Sequence, residues 1–175
     1  MLGSYPTSQN GTVVSLNIKP GVQVYRDGNL KTNIYKYSIF SVDPSGNMRL
    51  PVTKTVTVDI TAPPVIATSS VWFSSKGGAV TVNWTNPINS TVTAADPTNN
   101  VSYVVVRRGV GFAPTLTTGV LVSGNVKITL SGTAQAGKLV EKNLPTNVYW
   151  YSLFSADPSG NISARAYKRV TVDVT

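Results

Sequence analysis

Hydrophobic and polar residues alternate along much of this chain with a period of two. Tyr35-Lys-Tyr-Ser-Ile-Phe-Ser-Val-Asp-Pro-Ser-Gly-Asn47 sets bulky side chains at alternate positions and then enters Asp-Pro-Ser-Gly. That period predicts a strand with one buried face. Asp at the first, Pro at the second and Gly at the fourth position predict a type I turn. The pattern returns as Tyr149-Trp-Tyr-Ser-Leu-Phe-Ser-Ala-Asp-Pro-Ser-Gly-Asn161. The spacing is constant: 157 − 43 = 114 and 173 − 59 = 114. Asn33–Thr61 and Asn147–Thr175 align without a gap, with more than half of their positions identical. Repetition at a fixed offset predicts tandem β-modules.

The remaining pattern divides the chain. Gly3 to Gly11 matches Gly111 to Gly119 at an offset of 108, so the second copy carries 114 − 108 = 6 extra residues between Val120 and Asn143. Residues 1–61 therefore read as the C-terminal half of a module, and residues 62–175 as a complete one. Thr61-Ala-Pro-Pro64 is the linker, about residues 61–65, because two prolines remove backbone donors and fix φ. In the complete module, strands are expected over Val65–Ser74, Gly78–Thr85, where Val80, Val82 and Trp84 share a buried face, and Val101–Arg108. Asn86 to Asn100 reads as a long polar loop. Gly119–Val122 and Asn125–Leu130 read as two short strands, Ser131–Gly137 as the tip of an insertion, and Leu139–Leu144 as the lead into the repeated strand. Arg165–Val174 closes the module. No stretch has helical periodicity, and Gly or Pro punctuates the chain at short intervals. The expected class is all-β, a sandwich of short strands.

Composition narrows the chemistry. Hydrophobic residues make up 41%, enough for packed cores, while charged residues make up only 13%, leaving the surface to Ser, Thr and Asn. Such a surface is common in secreted β-proteins, so an extracellular or cell-surface location is expected. There is no cysteine and no histidine. That removes thiolate metal sites, the disulfide framework and the usual general base. The net charge of +8 invites a polyanion partner. The basic residues are scattered, however, with the densest groups at Arg107–Arg108 and Arg165 to Arg169, so they read as solvated strand faces and no nucleic-acid partner is expected. No apolar run approaches the ~20 residues that span a bilayer, so no membrane insertion is expected. Met-Leu-Gly-Ser-Tyr-Pro has neither the basic region nor the apolar core of a signal peptide.

Val80-Thr-Val-Asn-Trp84 followed by Asn86-Pro87, then Val104-Val-Val-Arg-Arg108, resembles the second and third strands of a fibronectin type III domain. Leu144-Pro-Thr146 ahead of Tyr149-Trp-Tyr151 is similar to the lead-in of that family's sixth strand. The resemblance covers nearly the whole chain and extends to the repeated Asp-Pro-Ser-Gly-Asn turn and the Val-Asp-Ile-Thr-Ala-Pro-Pro boundary of bacterial tandem modules. It implies tandem Ig-like/fibronectin type III sandwiches, the first only a C-terminal half. It also implies that Tyr35 and Tyr149 are tyrosine-corner residues, whose hydroxyls bond nearby backbone. Modules of this kind act as spacers, accessory domains or adhesive units, and fold alone does not give function.

The chemical readings each meet a structural alternative. Asp43 and Asp157 form turns rather than a calcium site, because calcium takes about six to eight oxygens and the chain has seven acids in all. Asp59, beside the linker, and its counterpart Asp173 hold the remaining claim on a cation. Glu141 is the single glutamate, so the paired carboxylates of a glycosidase are lacking, and serines have no histidine to activate them. No enzymatic activity and no cofactor are expected. Trp84 has core spacing. Trp150, between Tyr149 and Tyr151, points to the opposite face from them, and its counterpart is Lys36. Of five Asn-X-Ser/Thr sequences, Asn89 and Asn100, in the long loop, are the plausible glycosylation acceptors. The expectation is a non-catalytic structural or adhesive module of an extracellular surface protein or filament. Its partners would be neighbouring modules, copies of itself or cell-envelope polysaccharide. The half-module would be completed by a missing N-terminal part or by strands from a neighbouring subunit. The alternative is an accessory region of a secreted polysaccharide-degrading enzyme.

Overall fold

A computed structural model of the chain describes residues 4–7, 9–14, 18, 21, 24–87, 101–127 and 135–174. These fold into antiparallel β-structure with one short 3-10 turn, Thr68–Ser70, and divide into two compact units, Met1–Ile60 and Thr61–Thr175.

The described strands of the first unit form a hairpin, β1 (Asn33–Ile39) against β2 (Val52–Val58), with Tyr35 opposite Val56 and Tyr37 opposite Lys54. The second unit holds β3 (Val71–Lys76), β4 (Ala79–Thr85), β5 (Tyr103–Val110), β6 (Val120–Lys127), β7 (Ala136–Glu141), β8 (Asn147–Ala156) and β9 (Ala166–Val172). They make two sheets, in the orders β3-β4-β7 and β6-β5-β8-β9. Alternation decides what lies between the sheets: Val80, Val82 and Trp84 of β4 are buried, as are Val104 and Val106 of β5 and Tyr149, Tyr151 and Leu153 of β8. Together with Ile66, Val71, Leu144, Ala166 and Val172 they form one hydrophobic cluster drawn from both sheets, an arrangement compatible with a β-sandwich.

Strand boundaries depart from the sequence reading where the partner, rather than the local pattern, sets the ladder. The first strand of this unit begins at Val71, not Val65, because residues 65–70 run as extended chain and a 3-10 turn, with Pro63 and Ile66 buried. The two short strands expected around Ser123-Gly124 are one continuous strand, β6, and its pairing with β5 absorbs the irregularity through register shifts. Ala136–Glu141, expected to hold the end of an insertion and a lead-in, is a strand in the other sheet, paired with β4 from Val80 to Thr85. Thr85 opposite Ala136 and Val80 opposite Glu141 define that register.

Three glycines set local geometry. In each repeated turn the Gly amide bonds the Asp carbonyl three residues back, at 3.0 Å for Gly46 and 3.2 Å for Gly160. Both glycines have φ near +90° (86° and 89°), which L side chains adopt only with strain. Gly137 faces Trp84 across the ladder, and a Cβ there would overlap the indole ring, so the close approach of the ring to the β7 backbone depends on glycine.

Candidate functional site

The repeated turn is a closed carboxylate cradle. Asp157 Oδ1 accepts from the Asn161 amide at 2.8 Å and Oδ2 from Asn161 Nδ2 at 2.8 Å, while the side chain is 1% exposed. Asp43 repeats both bonds with Asn47, at 2.8 and 2.9 Å, and adds the Ser45 amide at 2.9 Å. Bonds from the Asn47 side chain and amide hold the Asp43 carboxyl below its ordinary value. Because its folded-state value is lowered, this contribution to stability is present above the ordinary carboxylate range and is lost as pH falls through the folded value. Asp157→Ala leaves two donors of the half-buried Asn161 without their buried acceptor and is expected to lower stability by about 1–2 kcal/mol, whereas the exposed Asp43→Ala shifts it less. Urea midpoints of the two variants, compared with the parent, check this order.

The tyrosines that open each repeated strand bond the backbone four residues upstream. Tyr149 Oη donates to the Pro145 carbonyl at 3.0 Å, and Tyr35 Oη donates to the Lys31 carbonyl at 3.0 Å. Just before them Asn143 and Asn29 both take φ = 59°, the left-handed region that Asn tolerates best after Gly. The two lead-ins therefore share a backbone path as well as a sequence.

A second polar assembly joins the two sheets of the second unit. Glu141 ends β7 in one sheet, while Arg108 of β5 and Tyr151 of β8 stand opposite one another in the other. Arg108 Nε lies 3.1 Å from Glu141 Oε1, with the two side chains 16% and 17% exposed, and Tyr151 Oη donates to Glu141 Oε2 at 2.7 Å. The guanidinium also sits 5.0 Å from the centre of the Tyr149 ring. Burial pushes the Tyr151 hydroxyl well above its ordinary value, and the bond to Glu141 and its charge add to that, against the opposing pull of Arg108. The glutamate is a cross-sheet tie, a role the sequence reading did not assign.

The first unit contains the same acid–tyrosine pair. Tyr37 Oη donates to Asp27 Oδ2 at 2.8 Å. Asp27 stands where Glu141 does, since 141 − 27 = 114, and Tyr37 where Tyr151 does, since 151 − 37 = 114. The signal was available in the constant offset. It was missed because Asp and Glu at matching positions do not register as an identity.

Three of the other basic residues, Arg107, Arg165 and Lys168, also bond backbone carbonyls. Arg107 Nη1 donates to the Thr118 and Gly119 carbonyls at 3.1 and 3.2 Å, and Arg165 Nη1 to those of Ala113 and Pro114 at 2.8 and 3.3 Å. Lys168 Nζ reaches the Val71 carbonyl at 2.8 Å, tying β9 to β3. Each cation satisfies backbone acceptors of a segment distant in sequence, so the positive charge is in part structural.

Aromatic side chains on the surface are divided between faces. Trp72 is 47% exposed on the outside of β3, between the inward Val71 and Phe73. Trp150 is half-buried on the outer side of β8 with Tyr167 of β9 beside it, ring centres 6.1 Å apart and planes 43° from parallel, and the Arg165 guanidinium lies 4.8 Å from the Tyr167 ring centre. Trp84 is fully buried, its Nε1 donating to Asn86 Oδ1 at 2.7 Å. Lys36, the counterpart of Trp150, lies 4.8 Å from the Tyr5 ring centre.

Asp59 and Asp173 follow β2 and β9 directly, and among the described residues no three acidic side chains gather into a cation site. Asn89 and Asn100 lie outside the described residues. No described helix is long and apolar enough to cross a membrane. The first unit has an open groove of about 470 Å³ lined by Tyr5, Pro6, Phe40, Met48, Leu50 and Pro51. Compared with known proteins, the chain matches no family model and no curated sequence at a significant level.

Proposed function

We propose that the chain is a non-catalytic structural or adhesive segment of an extracellular surface protein, built from fibronectin type III-like modules. The fold of the second unit supports the module type. Its first, second and fifth strands share one sheet and its third, fourth, sixth and seventh the other, a three-on-four division compatible with a sandwich whose fourth strand lies beside its third. The paired tyrosine–carbonyl bonds at Tyr35 and Tyr149 add to it.

One observation carries the functional reading: the side chains with chemical potential are engaged by the fold itself. Asp157 holds its turn, Glu141 and Arg108 hold two sheets together, and Arg107, Arg165 and Lys168 hold backbone carbonyls. A carboxylate whose two oxygens both accept from its own turn is held by the fold rather than aimed at a substrate. The polar groups serve rigidity, which suits a spacer or adhesive unit.

The Trp150–Tyr167 pair favours the second reading, an accessory domain of a polysaccharide-degrading enzyme. A 43° tilt makes a poor flat platform for a sugar ring, and Trp72 stands on the other sheet. Incubating the purified chain with insoluble cellulose, chitin and cell-wall polysaccharide separates the two. The expected result is that the protein stays in the supernatant and releases no reducing sugar. Retention that Trp150→Ala or Trp72→Ala abolishes would replace the structural reading with the accessory one.

A further inference from the structure

The loop that follows β5 has a counterpart in the first unit that keeps its hydrogen bonding and changes its chemistry. Gly111 to Gly119 matches Gly3 to Gly11 at the offset of 108. The Thr115 amide donates to Thr118 Oγ1 at 2.8 Å, and its counterpart, the Thr7 amide, donates to Asn10 Oδ1 at 2.7 Å. Each loop then closes a glycine against its proline. A Cβ on Gly119 would lie 2.8 Å from Pro114 Cβ, and one on Gly11 would lie 2.7 Å from Pro6 Cβ. The acceptor in the turn is therefore a hydroxyl in one unit and a side-chain amide in the other.

Asn10 is followed by Gly11, the single Asn-Gly in the sequence. A backbone nitrogen that follows asparagine can attack the side-chain carbonyl carbon, Cγ, and close a five-membered imide. With glycine in that place, no side chain obstructs the approach. As the nitrogen adds, negative charge develops on Oδ1. The Thr7 N–H already points at that atom from 2.7 Å, which is where an oxyanion donor must stand. Asn10 and Gly11 are both exposed, so water and hydroxide reach them. In the second unit the Thr118 hydroxyl offers no carbonyl carbon, so Thr118-Gly119 is inert to this reaction.

We propose that Asn10-Gly11 is a self-modification site, where the Gly11 nitrogen attacks Asn10 Cγ and the Thr7 amide stabilises the oxyanion on Oδ1. The bond formed is N–Cγ and the bond broken is Cγ–Nδ2. The attacking nitrogen gives its proton to hydroxide, and the departing nitrogen takes one from water and leaves as ammonia. Water then opens the imide at either carbonyl, giving aspartate or β-linked isoaspartate. In sum, one amide and one water become one carboxylate and one ammonium ion. The aspartate product keeps an acceptor for the Thr7 amide and adds a negative charge. The isoaspartate product inserts one methylene into the main chain just before Gly11. Gly11 is packed on Pro6 with no room for even a Cβ, so the longer main chain lifts this part of the loop off the proline. Tyr5, beside Pro6, is seated by its bond to Thr55 Oγ1 at 2.8 Å and by Lys36 Nζ 4.8 Å from its ring centre, and that seat is disturbed with the loop. The first unit's loop thus carries a chemical ageing step that the second unit's loop lacks.

The test incubates the full chain at neutral and at mildly alkaline pH and follows it by peptide mass mapping and by labelling with isoaspartate methyltransferase. The expected result is a gain of one dalton at Asn10, faster at the higher pH, and faster in the folded chain than in a free peptide with the sequence of residues 4–14. Asn10→Thr, the residue the second unit uses, is expected to show no gain there. Thr7→Pro removes the N–H donor and is expected to slow the gain about tenfold, the worth of one hydrogen bond to a charged oxygen. Limited proteolysis between residues 4 and 14 is expected to speed up in the isoaspartate form and to stay at the parent rate in Asn10→Asp, which has the charge without the extra methylene. A chain that gains no mass at Asn10 overturns the proposal. A rate in the folded chain no higher than in the free peptide overturns it as well, and this comparison stands even where Thr7→Pro disturbs the loop. A Thr7→Pro chain that keeps its circular dichroism and reacts as fast as the parent removes the oxyanion donor from the mechanism and overturns it too.

Discussion

Trp84→Ala is expected to lower the unfolding free energy of the second unit by about 3–5 kcal/mol, the cost of emptying the largest site in a close-packed core. The indole lies between the sheets with no exposed surface, folds over Gly137 and anchors Asn86 through its Nε1. The Asn86 amide in turn donates to the Gln135 carbonyl at 2.8 Å, so the loss extends to the start of β7. Gly137→Ala attacks the same contact from the other side. Its Cβ forces the ring off Asn86, at a cost of about 1–3 kcal/mol from overpacking. The two effects are coupled: in the Trp84→Ala background, Gly137→Ala has no ring to displace and is expected to cost less than about 0.5 kcal/mol. Denaturant unfolding followed by circular dichroism for the four proteins of this cycle measures the coupling, and strict additivity would show that the ring does not rest on Gly137.

Glu141→Ala should be the most damaging single charge removal. It strands the Arg108 guanidinium in a site about one-sixth exposed and leaves the Tyr151 hydroxyl without its acceptor. Breaking one partner of a buried pair costs about 3–5 kcal/mol when burial is complete, so a value near the lower limit is expected here. Replacing both Arg108 and Glu141 by leucine removes the stranded charge and should recover most of the loss, because packed apolar residues often substitute for a buried ion pair without net cost. Tyr151 adds a dependence on alkali. Its folded-state value is raised, so its contribution is fully present below the ordinary tyrosine value of about 10 and is lost as pH rises above it, where the unfolded chain ionises and the folded one resists. Urea midpoints between pH 7 and pH 11 should fall more steeply for the parent than for Tyr151→Phe. Parallel curves would show that the hydroxyl is not held protonated by the fold.

Much of the architecture was legible because it depends on neighbours in sequence. The strand period, the Asp-Pro-Ser-Gly turn and the burial of Val80, Val82 and Trp84 follow from alternation and turn chemistry, which act over a few residues. What failed was pairing at long range. Ala136–Glu141 has too many small and polar residues to announce a strand, and it becomes one because β4 offers it a ladder and Trp84 requires a glycine opposite. Val65–Ser70 has strand composition but no ladder partner among the described residues, and it runs as extended chain and a short turn. Arg165 and Lys168 are exposed, in keeping with a solvated face, and the carbonyls that they also reach are contacts a sequence does not show.

By itself, the sequence determined the all-β class, the tandem repeat with its offset of 114, and the local geometry of the turns and tyrosine bonds, since each is written in contiguous residues. Only the tertiary structure decided the fate of each copy. One hairpin is buried because β5 and the β3-β4-β7 sheet cover it, and the same hairpin in the first unit shows Ile39 and Val52 to solvent. The physical reason is that burial belongs to a pair of surfaces. A strand's pattern states which face wants cover, and nothing in that pattern supplies it.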